Sequence, residues 1–299
     1  MKAKLILISL SMLAATQATA AVITFGGQTP IDGSQQTSNF VPSSAWITPG
    51  GASSGGAVTN IINPNSGFYI ETFDRATQNP LLPPGAYIDS ESIPDWLEIQ
   101  SAGCGVNSAG ALSVSGIGGI GVQQGNTPQA AHANSNTTCF GYAPHYDVNP
   151  AIASMVVDYT GFIAQQRPGD YIGYLGIYYG SIDTYNALEF GNIVNNVFVP
   201  IDFTLEDEVF NILTGTTILD FFQLQSGNRD NSNRYVNITF NQNENFTAFR
   251  MTNTTSRAFE IDNIVVGLNS AVSVPAPASI GILGLGLVGL LLNRRRQKS

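Results

Sequence analysis

Charge is what this sequence has least of. Only 11% of its 299 residues are Asp, Glu, Lys or Arg, against about 25% in an average globular protein. Lysine is missing between Lys4 and Lys298, and that stretch, apart from the terminal Arg294, Arg295 and Arg296, sets six arginines against all 21 carboxylates, a net −15. A surface of that sign repels phosphate backbones, which excludes nucleic acid as a partner. Histidine is nearly absent: His132 lies in an uncharged stretch and His145 follows Pro144. Asp147 would complete a Ser-His-Asp set, but no Gly-x-Ser-x-Gly elbow stands between a strand and a helix to present a nucleophile. Glu206-Asp207-Glu208 is read as an exposed acidic turn rather than a glycosidase pair, because consecutive side chains point in different directions. No catalytic residues are expected, and the chain is expected not to be an enzyme. No repeat of about 20 to 50 residues occurs, which excludes a solenoid or propeller.

What is present is glycine and proline, 31 and 15 residues, and short alternating segments. In Tyr235 to Phe240, the residues Val236, Ile238 and Phe240 share one face while Asn237 and Thr239 take the other. Thr247, Phe249 and Met251 follow the same rule, as do Phe259 and Ile261. Further strands are expected at Val22–Phe25, Phe68–Phe73, Ser154–Thr160, Tyr174–Tyr179, Ala187–Phe190 and Val197–Ile201. The only helix expected is a short turn from Pro94 through Asp95, Trp96 and Leu97. The pattern predicts an all-β fold: a single two-sheet β-sandwich, jelly-roll-like, over residues 21–268. Gly26–Ser66 and Ile99–Tyr146, poor in charge and rich in Gly, Ser, Asn and Thr, are expected to be long surface loops.

Each end of the chain has the form of an address. Residues 1–20 hold two lysines, an apolar run from Leu5 to Ala15 and Ala18-Thr19-Ala20 before Ala21, the layout of a cleavable secretory signal peptide. At the other end, residues 269–277 form a linker that closes on Val274-Pro275-Ala276-Pro277. Residues 278–292 are apolar and residues 293–299 are basic, with Arg294, Arg295 and Arg296 at their head. As a helix, residues 278–292 span about 22 Å, short of the roughly 30 Å hydrocarbon core. The tail is thus expected to be a transmembrane sorting helix rather than a permanent anchor, with its arginines cytoplasmic and the acidic body outside.

Proline-containing motif, short glycine-rich apolar helix and terminal arginine cluster, in that order, resemble the PEP-CTERM sorting signal. Ala276 stands where the usual glutamate lies between the prolines, so the resemblance is to a VPAP variant. It implies Sec export, removal of the leader by signal peptidase, and processing by an exosortase in the inner membrane of a Gram-negative bacterium. Tyr174 to Asn186 resembles the Leu-Tyr-Trp-Gly-Ser-x-Asp-x-Tyr-Asn segment of one exosortase-dependent subfamily, with Tyr179 replacing the tryptophan. Arg234–Asn237 and Phe259–Ile264 are similar to that subfamily's closing strands. The resemblance implies a cell-surface or extracellular-matrix (biofilm) protein. The alternatives are a carbohydrate-binding module acting on exopolysaccharide and, third, a glycan-active enzyme.

Three further sets of residues carry expectations. Cys104 and Cys139, the only cysteines of an exported chain, are expected to pair. Tyr179 is the member of the tyrosine cluster expected to be exposed and to stack on sugar rings. Glu260 and Asp262, two apart on a strand, share a face, and with Glu71 and Asp74 they are candidate ligands for Ca²⁺. The competing reading is a solvated acidic face with Arg250 or Arg257 across from it. No other cofactor is expected.

Overall fold

The computed structural model describes residues 20–28, 36–41, 62–63, 67–73, 87–88, 95, 97–101, 104–107, 113–125, 139–145, 153–180, 182–223, 233–254 and 258–270. In chain order the strands are β1 (Val22–Phe25), β2 (Ile62–Asn63), β3 (Phe68–Glu71), β4 (Tyr87–Ile88), β5 (Leu97–Ile99), β6 (Val106–Asn107), β7 (Ser113–Ile117), β8 (Ile120–Gln123), β9 (Phe140–Ala143) and β10 (Ala153–Asp158). After helix α1 (Thr160–Ala164) come β11 (Ile172–Gly180), β12 (Asn186–Val194), β13 (Val197–Pro200), β14 (Phe203–Leu205), β15 (Glu208–Phe210) and β16 (Leu213–Thr214). Helix α2 (Gly215–Phe221) precedes β17 (Arg234–Thr239), β18 (Ala248–Asn253) and β19 (Phe259–Leu268).

The described residues are mostly strand, as the sequence predicts. A nine-stranded sheet runs β1-β17-β11-β19-β9-β8-β5, with β3 also on β19 and β2 on β3. A six-stranded sheet runs β13-β12-β18-β10-β7, with β16 on β12. One core cluster draws on both: Leu175, Ile177, Val236, Ile238 and Ile261 come from the first sheet, and Met155, Val157, Leu188, Phe190 and Met251 from the second. At one end Phe190 packs against Phe203, Phe240 and Phe246, with ring centroids 5.4, 4.8 and 5.4 Å away.

Local chemistry sets the connections. Asn195-Asn196 between β12 and β13, and Glu206-Asp207 between β14 and β15, are both at positive φ, the two-residue geometry that matches strand twist and that Asn and Asp tolerate. The acidic turn expected at Glu206 to Glu208 is therefore a hairpin tip. Helix α2 is capped by Thr214, whose Oγ1 accepts from the Thr217 amide at 3.0 Å.

Several expectations need correction. Ile99–Tyr146 is not merely loop: it supplies β6, β7, β8 and β9, and Val122, Phe140 and Tyr142 are fully buried. In β8 and β9 the lack of charge is the mark of strands covered on both faces, which need no alternation. Within Gly26–Ser66, Thr37, Ser38 and Val41 are buried. Of the helical turn expected from Pro94, Pro94 and Trp96 lie outside the described residues, Asp95 is in a turn and Leu97 begins β5; the helices among the described residues are α1, α2 and a 3-10 turn at Gln242–Glu244. Among the described residues no helix is long and apolar enough to cross a membrane. The sorting helix expected at 278–292 lies outside the described residues, as do the leader 1–19 and the tail.

Candidate functional site

The outer face of the nine-stranded sheet, turned away from the core, carries Tyr174 and Tyr178 of β11, Tyr235 and Asn237 of β17, and Glu260 and Asp262 of β19. Pairing puts Tyr178 level with both Tyr235 and Asp262. Segment 36–41 covers this face. The Tyr174 hydroxyl donates to Asn237 Oδ1 at 2.7 Å and lies 2.6 Å from Ser38 Oγ. Asn263 Nδ2 donates to Gln36 O at 3.0 Å, and Gln28 Nε2 donates to Ser38 O at 2.7 Å. Burial, with Asp262 nearby, pushes the Tyr178 hydroxyl up to about 12, against an opposing pull from Arg234.

Tyr179 does not do what the sequence suggests. It is fully buried and stacked on Phe259 with centroids 4.4 Å apart. It faces the core because β11 alternates, Leu175, Ile177 and Tyr179 pointing inward. A ring in that position cannot meet a sugar.

Three of the four candidate calcium ligands, Glu71, Glu260 and Asp262, do not converge either. A bulge at Asn263 (φ 45°) shifts the register between β19 and β11. Before it Phe259 and Ile261 point inward and Glu260 and Asp262 outward; after it Ile264 and Val266 point inward. Glu71 is level with Ile264, so it lies on the core side, where its Oε1 accepts from the Phe73 amide at 2.8 Å. It sits beside Tyr69 and Tyr159, whose hydroxyls are raised first by burial and then by its charge. The sheet thus separates Glu71 from Glu260 and Asp262, and Asp74 lies outside the described residues. The solvated-face reading fails too, since Glu71, Glu260 and Asp262 are all buried. Arg250 pairs with Glu189 on the other sheet and covers the Phe198 ring, while Arg257 lies outside the described residues. Among the described residues no three acidic, His or Cys side chains are grouped to hold a metal ion.

Cys104 and Cys139 are joined by a disulfide. It ties the segment just before β6 to the residue preceding β9 across 35 residues of sequence, a loop whose closure restricts the unfolded chain by about 4 kcal/mol in the chain-entropy model. Replacing both cysteines by serine is expected to lower unfolding free energy by about 2–5 kcal/mol. Denaturant titration checks it, and an unchanged midpoint would show that the bond contributes nothing.

One open cleft of about 320 Å³ lies between the β14–β15 hairpin and α2, lined by Glu206, Glu208, Phe210, Thr217, Asp220 and Phe221 among others. Its size is at the lower end of small-molecule sites. The sequence reading missed it, because its walls come from a turn and a helix that had no expected role. His145 instead pairs with Glu98, Nδ1 to Oε2 at 2.9 Å.

The chain's two exits form the remaining site. Val22 is level with Thr239, Thr239 with Tyr174, and Tyr174 with Gly267. The start of β1 and the end of β19 thus share one row, three strand spacings or about 14 Å apart. The departing chain is held by a reciprocal pair: the Tyr171 amide donates to Asn269 Oδ1 and the Asn269 amide to Tyr171 O, both at 3.0 Å. Val274, Pro275, Ala276, Pro277 and Arg294 to Arg296 follow outside the described residues.

The family described as PEP-CTERM protein-sorting motif matches residues 273–296. This segment is a sorting signal: it marks the chain for export, a membrane-associated precursor and processing by an exosortase. No curated protein and no solved structure matches the chain.

Proposed function

We propose that the chain is a non-catalytic cell-surface or matrix component of a Gram-negative bacterium. It is exported by the Sec machinery, loses residues 1–20 to signal peptidase, and is cut or exchanged by an exosortase at the VPAP variant, Val274 to Pro277. The observation that carries this reading is the sorting motif at residues 273–296, which begins four residues beyond the clamp at Asn269. The body, a jelly-roll-like sandwich of one domain, is then the cargo. Its covered sheet and disulfide suit a protein that must persist outside the cell.

Deleting Arg294 to Lys298 tests the proposal. The precursor is expected to be retained unprocessed or released unsorted, as read by cell fractionation and mass of the C-terminal peptide. Mature surface protein that still carries Leu290 and Arg296 would overturn it.

A second reading, carbohydrate binding to exopolysaccharide, is favoured by the cleft beside α2. There Phe210 and Phe221 offer apolar rings, and Glu206, Glu208 and Asp220 offer acceptors for sugar hydroxyls. A polysaccharide array probed with wild type and with Phe221→Ala separates the readings, since only cleft binding is lost in the variant.

A further inference from the structure

We infer that the end of the sandwich from which both exits leave rests on the lipid surface of the membrane in the precursor. This inference depends on the membrane-anchored precursor proposed above. The row Val22, Thr239, Tyr174 and Gly267 fixes both exits at this end. From Asn269 to Ala278, where the apolar segment begins, the chain advances nine residues, at most about 31 Å fully extended. The body has no room to stand far from the bilayer.

The surface at that end is suited to the contact. Phe246 bridges to Ile172, beside the exit. The Thr247 amide donates to Gly191 O, and its Oγ1 accepts from the Ile193 amide. These bonds aim the tip of the β12–β13 hairpin past Phe246, on the same side as the exit. That hairpin carries Val194, Val197 and Val199, which are 50%, 60% and 44% exposed, and β1 adds Val22 at 48%. Four of the six exposed large apolar side chains among the described residues therefore gather around the exits. Ile117, level with Ser154 and through it with Thr252, lies at the opposite end and is 60% exposed.

Charge does not drive this contact. Arg167 is exposed on the loop entering β11, but Asp170, whose amide donates to Arg167 O, stands beside it. The acidic hairpin tip at Glu206 to Glu208 folds back over α2, whose following residue Phe222 stacks on Phe25 at the far end of β1. The valines supply the attraction, as apolar side chains entering the boundary between headgroups and acyl chains.

The test uses the full chain in vesicles of phosphatidylethanolamine with a minority of phosphatidylglycerol. Both native cysteines are bonded to each other, so a single introduced thiol is labelled selectively. An environment-sensitive fluorophore is placed at Val197→Cys or at Ile117→Cys, and the lipids carry a headgroup-level quencher. Quenching is expected to be at least about threefold greater at position 197 than at 117, and to fall when Val194 and Val199 are changed to serine in the Val197→Cys background. Flotation with the vesicles but equal quenching at the two positions overturns the inference and leaves the anchored precursor standing. Shielding at 197 that rises with protein density and ignores the quencher means that a second copy covers the face, and also overturns it. Failure to float removes the anchored precursor and this inference together.

Discussion

Changing Tyr179 to alanine is expected to destabilise the body by about 3–5 kcal/mol, the cost of emptying a large buried aromatic site. The ring is fully buried and stacked on Phe259, in the middle of the nine-stranded sheet, where the neighbouring strands cannot collapse into the space. Tyr179→Phe keeps the stack and is expected to cost less than about 1.5 kcal/mol. Urea unfolding of the two variants decides the matter. A near-neutral Tyr179→Ala with weakened glycan binding would restore the exposed role suggested by the sequence. The structure leads instead to a variant that binds as before once folded and fails only in stability.

That contrast shows where the sequence was legible. Strands with one polar and one apolar position in alternation, such as Tyr235 to Phe240, were placed to within a residue, because period two is visible whenever the two faces differ. Tyr174 to Tyr179 was found as a strand, yet the facing of its tyrosines was not. Both faces of β11 are buried, one by the opposite sheet and the other by segment 36–41, so its alternation is between two kinds of interior. The same cause hid β8 and β9, whose small and uncharged residues fill tight places. A Cβ on Gly121 would lie 2.2 Å from the Tyr142 ring, and one on Gly141 would lie 2.6 Å from the Phe73 ring. Glu260 and Asp262 were correctly put on one face, but one residue of bulge at Asn263 turned Glu71 to the other. A bulge leaves little trace in a single sequence, since Asn is ordinary in strands' ends and turns alike. The PEP-CTERM motif is legible because it is read as linear sequence; the cleft beside α2 is not, because it exists only once the β14–β15 hairpin folds back on the helix that follows it.

High pH is expected to unfold the body abruptly. Tyr69, Tyr159, Tyr174, Tyr178, Tyr179 and Tyr235 all have hydroxyls raised above the ordinary value of 10.0, in every case chiefly by burial. A tyrosine whose folded pKa lies above its unfolded one keeps its proton longer in the native state. Its contribution to stability is whole below pH 10, and erodes as pH rises from there towards the folded value, because the unfolded chain gives up protons that the folded chain holds. Six such groups make the slope about 8 kcal/mol per pH unit once the unfolded tyrosines are ionised. A domain stable by about 5–15 kcal/mol is exhausted within about two units above pH 10. Tyrosinate absorbance and far-ultraviolet dichroism, followed together from pH 9 upward, make the check, with pH 9 chosen as roughly one unit below the ordinary tyrosine value. Most of the absorbance is expected to appear in a single step that coincides with loss of β signal. If all the tyrosines titrate smoothly around pH 10 while the dichroism holds, the six rings are not buried as described, and the covering of the outer face by segment 36–41 is wrong with them.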